Sequence, residues 1–110
     1  MTFAENSQLA TIGNYAFAGN SSNYMQFTSV EIPASVTSIG NYAFQYCTKL
    51  EELTFAENSQ LASIGQYSFQ NCTSLTNIEL PSTLTSISGY AFYNCTKLLS
   101  IRSFAESVPA

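Results

Sequence analysis

The side chains with the most chemical potential in this sequence are three cysteines and one pair of adjacent glutamates. Cys47, Cys72 and Cys95 are separated by 25 and 23 residues, which matches no C-x-x-C metal or redox spacing. Glu51 and Glu52 resemble paired carboxylates, but neighbouring residues of a strand point to opposite faces. The chain has no His and no Asp, so the commonest general base is missing. We therefore predict no catalytic residue, no metal and no cofactor, and we interpret both glutamates as solvated charges.

The cysteines belong to a phrase that the chain repeats four times. Hexapeptides of the type Ile-Gly-Asn-Tyr-Ala-Phe begin at Ile12, Ile39, Ile64 and Ile87, spaced by 27, 25 and 23 residues. In the last three copies Cys-Thr-x-Leu follows the Phe, and in the second and third copies two apolar residues at alternating positions come next. The basic period is 23 residues, with four extra residues at 20–23 and two within 56–60. Such a period is typical of a solenoid of stacked coils.

Each coil is too short to bury its own apolar positions, so we expect the coils to stack and bury them in ladders. The alternating segment predicts a short strand, and Gly is expected to release the next corner of the chain. Tyr-Ala-Phe-x-x-Cys is expected to close one or two helical turns. The predicted ladders are Phe17/Phe44/Phe69/Phe92, Ile12/Ile39/Ile64/Ile87 and Leu9/Val36/Leu61/Leu84. The cysteines would form a buried, reduced row, with a disulfide or a metal as the alternative.

The 23-residue unit, with Pro after the strand, Ile-Gly, Ala-Phe and Cys, resembles the BspA-like (treponemal-type) leucine-rich repeats from residue 2 to about 102. The sequence departs from this pattern at three places: Tyr24 stands where Cys is expected, Ser88-Gly89 replaces the glycine position of Ile-Gly in the fourth copy, and Ser103 occupies an apolar strand position. Phe104 fills that last position if the strand has a one-residue bulge. The resemblance implies a right-handed leucine-rich-repeat solenoid of short parallel β-strands and short helical or turn segments, in about four repeats. It also implies a surface-associated protein, because family members are typically surface proteins of bacteria and mucosal protists, several of them adhesive.

Composition limits the partners that this single 110-residue domain can have. A net charge of -4, with three cations, argues against nucleic acid and against anionic membrane surfaces. No apolar run approaches the roughly 20 residues of a membrane span, and the first residues lack the pattern of a signal peptide. The opening phrase 2–10 is identical to 54–62, and 104–107 echo it. We therefore expect a segment of a longer array or an engineered minimal repeat protein, with self-association through uncapped ends.

Two surfaces are candidates for protein binding. The first is the outward face of the strands, predicted to be weakly acidic and to comprise Ser29, Glu31, Glu52, Thr54, Asn77, Glu79, Ser100 and Arg102. The second is a row of Tyr15, Tyr42, Tyr67 and Tyr90, widened by Tyr46 and Tyr93, which either packs half-buried or offers an aromatic ridge to a protein or glycan. Asn20, Asn71 and Asn94 fit the glycosylation sequon, although at Asn71 and Asn94 a role in satisfying backbone groups of a corner is favoured.

The function predicted from these patterns is a non-catalytic, protein-binding or adhesive scaffold, located outside the cell or on its surface by family resemblance. A host or matrix protein is the expected kind of partner. The alternative is a structural spacer within a larger surface protein, or an engineered repeat protein without a ligand of its own.

Overall fold

The computed structural model describes residues 8–20 and 22–103, and for residues 100–103 it describes only the backbone. Two-residue and four-residue strands alternate along the chain. The strands are β1 Thr11–Ile12, β2 Ser29–Ile32, β3 Ser38–Ile39, β4 Glu52–Phe55, β5 Ser63–Ile64, β6 Asn77–Leu80, β7 Ser86–Ile87 and β8 Ser100–Ser103. Each pair of one short and one long strand belongs to one coil of the repeat. We number the coils 1 to 4, with coil 1 ending at residue 32, coil 2 at 55, coil 3 at 80 and coil 4 at 103.

The strands form two parallel sheets that stack one coil on the next. The short strands pair in the order β1-β3-β5-β7, and the long strands pair in the order β2-β4-β6-β8. The register joins repeat-equivalent residues, such as Ile12 with Ile39 and Val30 with Leu53. The prediction of a leucine-rich-repeat solenoid with short parallel strands is therefore confirmed.

The core lies between the two sheets and combines the predicted ladders with the inward residues of the long strands. The prediction that Leu9 is buried in its ladder is wrong, because Leu9 is 39% exposed at the start of the described stack. The rings of Phe17, Phe44, Phe69 and Phe92 stack with centroids 5.2, 5.1 and 5.3 Å apart. This spacing is slightly larger than the roughly 4.8 Å between hydrogen-bonded strands. Phe44 and Phe69 are fully buried, whereas Phe17 and Phe92 are half-buried in the outer coils. The inner coils thus supply the best-packed part of the core.

Tyr-Ala-Phe-x-x-Cys was expected to close one or two helical turns within a fold of short helical or turn segments. The structure has turns there, and no helix occurs in residues 8–20 and 22–103. Successive turns replace it, with Ala43 N–H donating to Gly40 O, Gln45 N–H to Tyr42 O and Cys47 N–H to Phe44 O. Every coil places a tyrosine at positive φ in the first turn, at 61°, 59°, 56° and 63° for Tyr15, Tyr42, Tyr67 and Tyr90. A left-handed residue interrupts helical propagation, while the i to i+3 contacts persist.

The glycines of Ile-Gly are needed because there is no room for a side chain, not because they adopt special backbone angles. No described glycine has a positive φ; at this corner the left-handed residue is the tyrosine two positions later. An added Cβ at Gly40 would lie 2.5 Å from Asn14 Oδ1, and one at Gly65 would lie 2.6 Å from the carbonyl carbon of Gly40. Glycine is required here because neighbouring coils approach too closely for any side chain.

Polar side chains add bonds between coils at this corner. Asn14 Oδ1 accepts a 2.7 Å bond from Asn41 N–H in the next coil, and Asn41 Oδ1 accepts a 2.8 Å bond from Gln66 N–H. Each side chain thereby satisfies a backbone donor of the coil that follows it. Together with the glycines, this relay fixes how coils 1, 2 and 3 stack.

Candidate functional site

The outward face of the long strands is exposed, as the alternation of apolar and polar residues predicted. The burial pattern along β2 and β6 is exposed, buried, exposed, buried, and β4 follows it with Phe55 half-buried. We call this surface the acidic strand face. Its exposed members are Ser29, Glu31, Glu52, Thr54, Asn77 and Glu79.

Parallel register arranges the acidic strand face in two rows across the sheet. One row pairs Ser29 with Glu52 and Glu52 with Asn77. In the other row, Glu79 lies beside Arg102, whose side chain falls outside the described part of the structure. Each of the strands β2, β4 and β6 thus contributes one exposed glutamate to this face, namely Glu31, Glu52 and Glu79.

An open groove of about 920 Å³ runs over β4 and β6 of this face. Its lining includes four of the predicted contact residues, namely Glu52, Thr54, Asn77 and Glu79. The lining continues into the turns that follow the two strands, 56–59 after β4 and 81–82 after β6. The structure thus brings these sequence-predicted residues together in one concave surface.

One wall of the groove comes from the turn that carries the two extra residues of coil 3. Glu57 and Asn58 are exposed in that turn, and Asn58 adopts a left-handed φ of 65°. Ser59 N–H donates to Ala56 O at 3.1 Å and closes the turn. Ala56 N–H donates to Ile32 O at 2.9 Å and Gln60 N–H donates to Ala34 O at 3.1 Å, which anchors the turn at both ends. The sequence shows this insertion, but it was not among the residues predicted for the site. Its position directly after a strand of the candidate face could have indicated that it borders that face.

The described lining of the groove contains three glutamates, Glu52, Glu57 and Glu79, and neither lysine nor arginine. Glu51 is also exposed, but it precedes β4 and does not line the groove. Both members of the Glu51–Glu52 pair are therefore surface charges, as interpreted, and only Glu52 belongs to the site.

The predicted tyrosine row exists as a continuous stack. The rings of Tyr15, Tyr42, Tyr67 and Tyr90 lie 4.9, 5.3 and 5.3 Å apart with interplanar angles of 2°, 9° and 9°. Tyr42 and Tyr67 are half-buried, and Tyr15 and Tyr90 are 59% and 61% exposed. Because the rings cover each other's faces, the stack offers ring edges to a partner along most of its length.

The two flanking tyrosines lie in different rows. Tyr93 packs edge-on against Tyr67 and Tyr90 at 6.0 and 5.6 Å, so it widens the stack as predicted. Tyr46 corresponds in the repeat to Asn71 and Asn94, and all three have φ of 61°. Two side chains of this row bond each other, with Asn94 Nδ2 donating to Asn71 Oδ1 at 2.6 Å. The two asparagines were predicted to satisfy backbone groups of a corner. In the structure they instead adopt a left-handed backbone conformation, and their side chains bond each other.

Asn20 satisfies backbone groups within the insertion of coil 1. Its Oδ1 accepts bonds from Ser22 N–H and Asn23 N–H, each 2.8 Å long. The side chain is exposed, and its use as a glycosylation site stays a prediction.

The cysteines are free thiols, with Cys47 and Cys72 buried and Cys95 half-buried. Each thiol donates to the Phe carbonyl of the preceding coil: Cys47 to Phe17 at 3.5 Å, Cys72 to Phe44 at 3.3 Å and Cys95 to Phe69 at 3.1 Å. A reduced inward row is what the repeat predicted. Nowhere in the described residues do three or more Cys and Glu side chains cluster in a way that would hold a metal ion. Within the same residues there is no helix long and apolar enough to cross a membrane.

Comparison with known proteins identifies the repeat. The sequence profile of the BspA type leucine rich repeat region matches residues 10–108 in six copies. The chain is similar to the pneumococcal vaccine antigen PcpA, with 31% identity and a TM-score of 0.84 over 92% of this chain, but it spans only 24% of that chain. It is also similar to a leucine-rich repeat protein from Bacteroides capillosus, with 29% identity and a TM-score of 0.71 over 91% of this chain and 69% of that one.

A leucine rich cell surface protein from Faecalibacterium prausnitzii shares the fold at 23% identity and a TM-score of 0.53, over 93% of this chain and 45% of that one. No curated protein matches the sequence. The repeat phrase, the two parallel sheets and the profile match agree with one another, and the chain belongs to the BspA-type leucine-rich-repeat family.

Proposed function

We propose that this chain is a non-catalytic protein-binding scaffold whose contact surface is the groove on the acidic strand face. The observation that carries the proposal is the position of this groove. It lies over β4 and β6, on the sheet face that solenoids commonly use for binding, and it is lined by Glu52, Thr54, Asn77 and Glu79. The wall at 56–59 makes the surface concave, so a partner segment can be contacted from the floor and the side.

The charge of the groove favours a partner segment that carries lysine or arginine. Glu52, Glu57 and Glu79 line the groove, and all three are exposed. Exposed charges of one sign steer an oppositely charged partner and mainly raise the association rate. Their contribution is screened over about 8–10 Å at physiological salt, so binding through this groove weakens as salt rises.

The finer role we propose is adhesion at a bacterial cell surface to a host or matrix protein. The names of similar structures support it, since one is called a vaccine antigen and another a cell surface protein. The tyrosine stack of Tyr15, Tyr42, Tyr67 and Tyr90 is a second contact surface in this proposal, because its outer rings are exposed. The competing function is a spacer that adds length to a longer surface protein and binds nothing.

Self-association through the outer coils also remains part of the proposal. The observation in its favour is the exposure of large apolar side chains on coil 4, with Tyr90 61% exposed and Leu99 82% exposed. Exposed apolar groups of this size are typical of surfaces that another protein covers.

The test compares two adjacent charge reversals, Glu52→Lys inside the groove and Glu51→Lys outside it. Purified extracellular matrix proteins are immobilised one at a time, and the dissociation constant of each variant is measured at low and high salt. For any matrix protein that binds, Glu52→Lys should weaken binding about three- to tenfold at low salt, and less at high salt. Glu51→Lys changes the net charge equally and should have a smaller effect.

Equal effects of the two reversals would remove the groove from the proposal, since net charge alone would then explain the result. Absence of binding to every matrix protein tested, with the variants correctly folded by circular dichroism, would favour the spacer. Both variants alter exposed side chains, so neither is expected to change the fold.

A further inference from the structure

The row of three thiols is a chemical feature that the proposed binding function does not use. Cys47, Cys72 and Cys95 occupy the same place in coils 2, 3 and 4, and each bonds the carbonyl of a repeat-equivalent Phe. The three sulfur atoms therefore follow one line along the stack. This line is independent of the groove and of the tyrosine stack.

Adjacent members of this row have the spacing that a disulfide needs. Coils 2 to 4 are separated by about 5 Å, as the Phe44–Phe69 and Phe69–Phe92 ring distances of 5.1 and 5.3 Å show. Disulfides join residues whose Cα atoms are usually about 4.4–6.8 Å apart. Cys47 and Cys95 lie two coils apart, at roughly twice the strand spacing of about 4.8 Å, which is beyond that range. The row therefore permits Cys47–Cys72 or Cys72–Cys95, but not Cys47–Cys95.

Reagents in solution reach the row from one end. Cys47 and Cys72 are 1% and 0% exposed, whereas Cys95 is half-buried. Hydrogen bonding with the thiols of Cys47 and Cys95, together with burial, raises the pKa of Cys72 well above its ordinary value. Hydrogen bonding with the Cys72 thiol lowers the pKa of Cys95. Cys95 is therefore the most accessible of the three thiols, and its lowered pKa favours the thiolate, which is the nucleophile.

We propose that Cys95 is a thiol modification site for low-molecular-weight disulfides, and that Cys72 resolves the adduct to form a Cys72–Cys95 disulfide. In the first step the Cys95 thiolate attacks one sulfur of glutathione disulfide, and a glutathione thiolate leaves. In the second step the Cys72 thiol gives up its proton as its sulfur attacks the Cys95 sulfur, and the second glutathione leaves as a thiolate that takes up a proton. Two protein thiols are oxidised while one glutathione disulfide is reduced to two glutathiones.

The product would link coil 3 to coil 4 covalently and leave Cys47 as the single free thiol. The Cβ atoms need to approach by about 1 Å from the strand spacing, which the half-buried outer coil can accommodate more easily than the inner ones. For that reason Cys72–Cys95 is favoured over Cys47–Cys72.

The experiment treats the folded 110-residue chain with glutathione disulfide at neutral pH and follows mass and disulfide position by peptide mapping. A transient glutathione adduct on Cys95 is expected. It should then lose glutathione and give a chain with a Cys72–Cys95 crosslink, two hydrogens lighter than the starting chain. Cys47→Ala should behave like the unaltered chain. Cys72→Ala should accumulate the adduct without an intramolecular crosslink, because its remaining thiols lie two coils apart. Cys95→Ala should react at least about tenfold more slowly.

Crosslinking of Cys47 to Cys72 with Cys95 left free would overturn the proposal. A stable glutathione adduct on Cys95 in the unaltered chain would overturn the second step, and equal labelling rates for all three thiols would overturn the first. The map of the unaltered chain needs no substitution, so these outcomes remain decisive even if a variant folds poorly. Circular dichroism of each variant identifies that case.

Discussion

Because the coils approach each other closely at the Ile-Gly corner, we predict that replacing glycine with alanine has opposite effects on stability at equivalent positions of different coils. Gly13, Gly40 and Gly65 follow the same Ile in coils 1, 2 and 3, and none has a positive φ. A Cβ at Gly40 would meet Asn14 Oδ1 at 2.5 Å and Asn14 N at 2.7 Å, whereas a Cβ at Gly13 would have no atom within 4 Å. Alanine should therefore be harmful in coils 2 and 3 and harmless in coil 1.

The magnitude follows from the contacts that must move. The atoms facing Gly40 are mostly backbone, so relief requires coils 1 and 2 to separate, at about 1–3 kcal/mol for overpacking. Separation also weakens the 2.7 Å bonds from Gly40 N–H to Ile12 O and from Asn41 N–H to Asn14 Oδ1, each worth about 1 kcal/mol. We expect Gly40→Ala and Gly65→Ala to cost about 2–4 kcal/mol. Gly13→Ala should instead stabilise the fold by about 0.4–1 kcal/mol, because alanine reduces the entropy of the unfolded chain.

Urea unfolding followed by circular dichroism gives the free energy of unfolding for each variant, and thermal melting gives an independent check. For a chain of this length, about 4 °C accompanies each kcal/mol, so Gly40→Ala should melt roughly 8–16 °C lower. Gly89→Ala is a second control, since its Cβ would also meet nothing within 4 Å. If Gly13→Ala and Gly40→Ala proved equally destabilising, glycine would be acting through backbone conformation and our explanation would be refuted.

Two further predictions concern single departures from the repeat. Ser68 takes the place of Ala43 and Ala91, is 0% exposed, and has no partner for its hydroxyl among the described residues. Ser68→Ala should therefore raise the free energy of unfolding by about 1 kcal/mol or more. A lower free energy of unfolding, measured with urea, would contradict this. Tyr46 has a left-handed φ of 61°, and the equivalent residue of the next coil is Asn71, a residue type that tolerates this conformation better. Tyr46→Asn should therefore stabilise the fold by about 1 kcal/mol in the same assay. A destabilised variant would show that the packing of Tyr46 outweighs the backbone strain.

The sequence predicted the ladders well because they depend only on recurrence. Ile12, Ile39 and Ile64 recur with the repeat, and any stack of equal coils brings them into register. Phe44 and Phe69 were placed in the core for the same reason. Register within a repeat protein is therefore a property of the spacing, which the sequence shows directly.

The path of the chain between ladders was harder to predict. Phe44 and Cys47 share a face at i and i+3 both in a helix and in two successive turns, so spacing alone cannot distinguish them. The left-handed tyrosines decide between them, but tyrosine has no sequence preference for positive φ that would reveal this. The role of Gly40 depends on a distance between coils, and such distances are set by packing rather than by local propensity.

The candidate site was half predictable. Alternation placed Glu31, Glu52 and Glu79 on the outward face correctly. The groove itself depends on where the turn at 56–59 points, which the anchoring bonds of Ala56 and Gln60 determine. The reactivity order of the thiols likewise requires knowledge of which end of the row is open.

The direction of the hydrogen bonds between coils has a mechanical consequence. In both sheets these bonds run along the stack, so tension applied along that axis opens one interface between coils at a time instead of shearing many bonds together. The interface between coils 3 and 4 should separate first, because Ser88 replaces glycine there. The nitrogen of Ser88 lies 3.0 Å from Ile64 O, whereas the nitrogens of Gly40 and Gly65 lie 2.7 and 2.8 Å from the equivalent oxygens. Each detached 23-residue coil adds roughly 80 Å of extended chain. A tether built from such coils lengthens stepwise under load rather than breaking, and the Cys72–Cys95 crosslink would reinforce its weakest step.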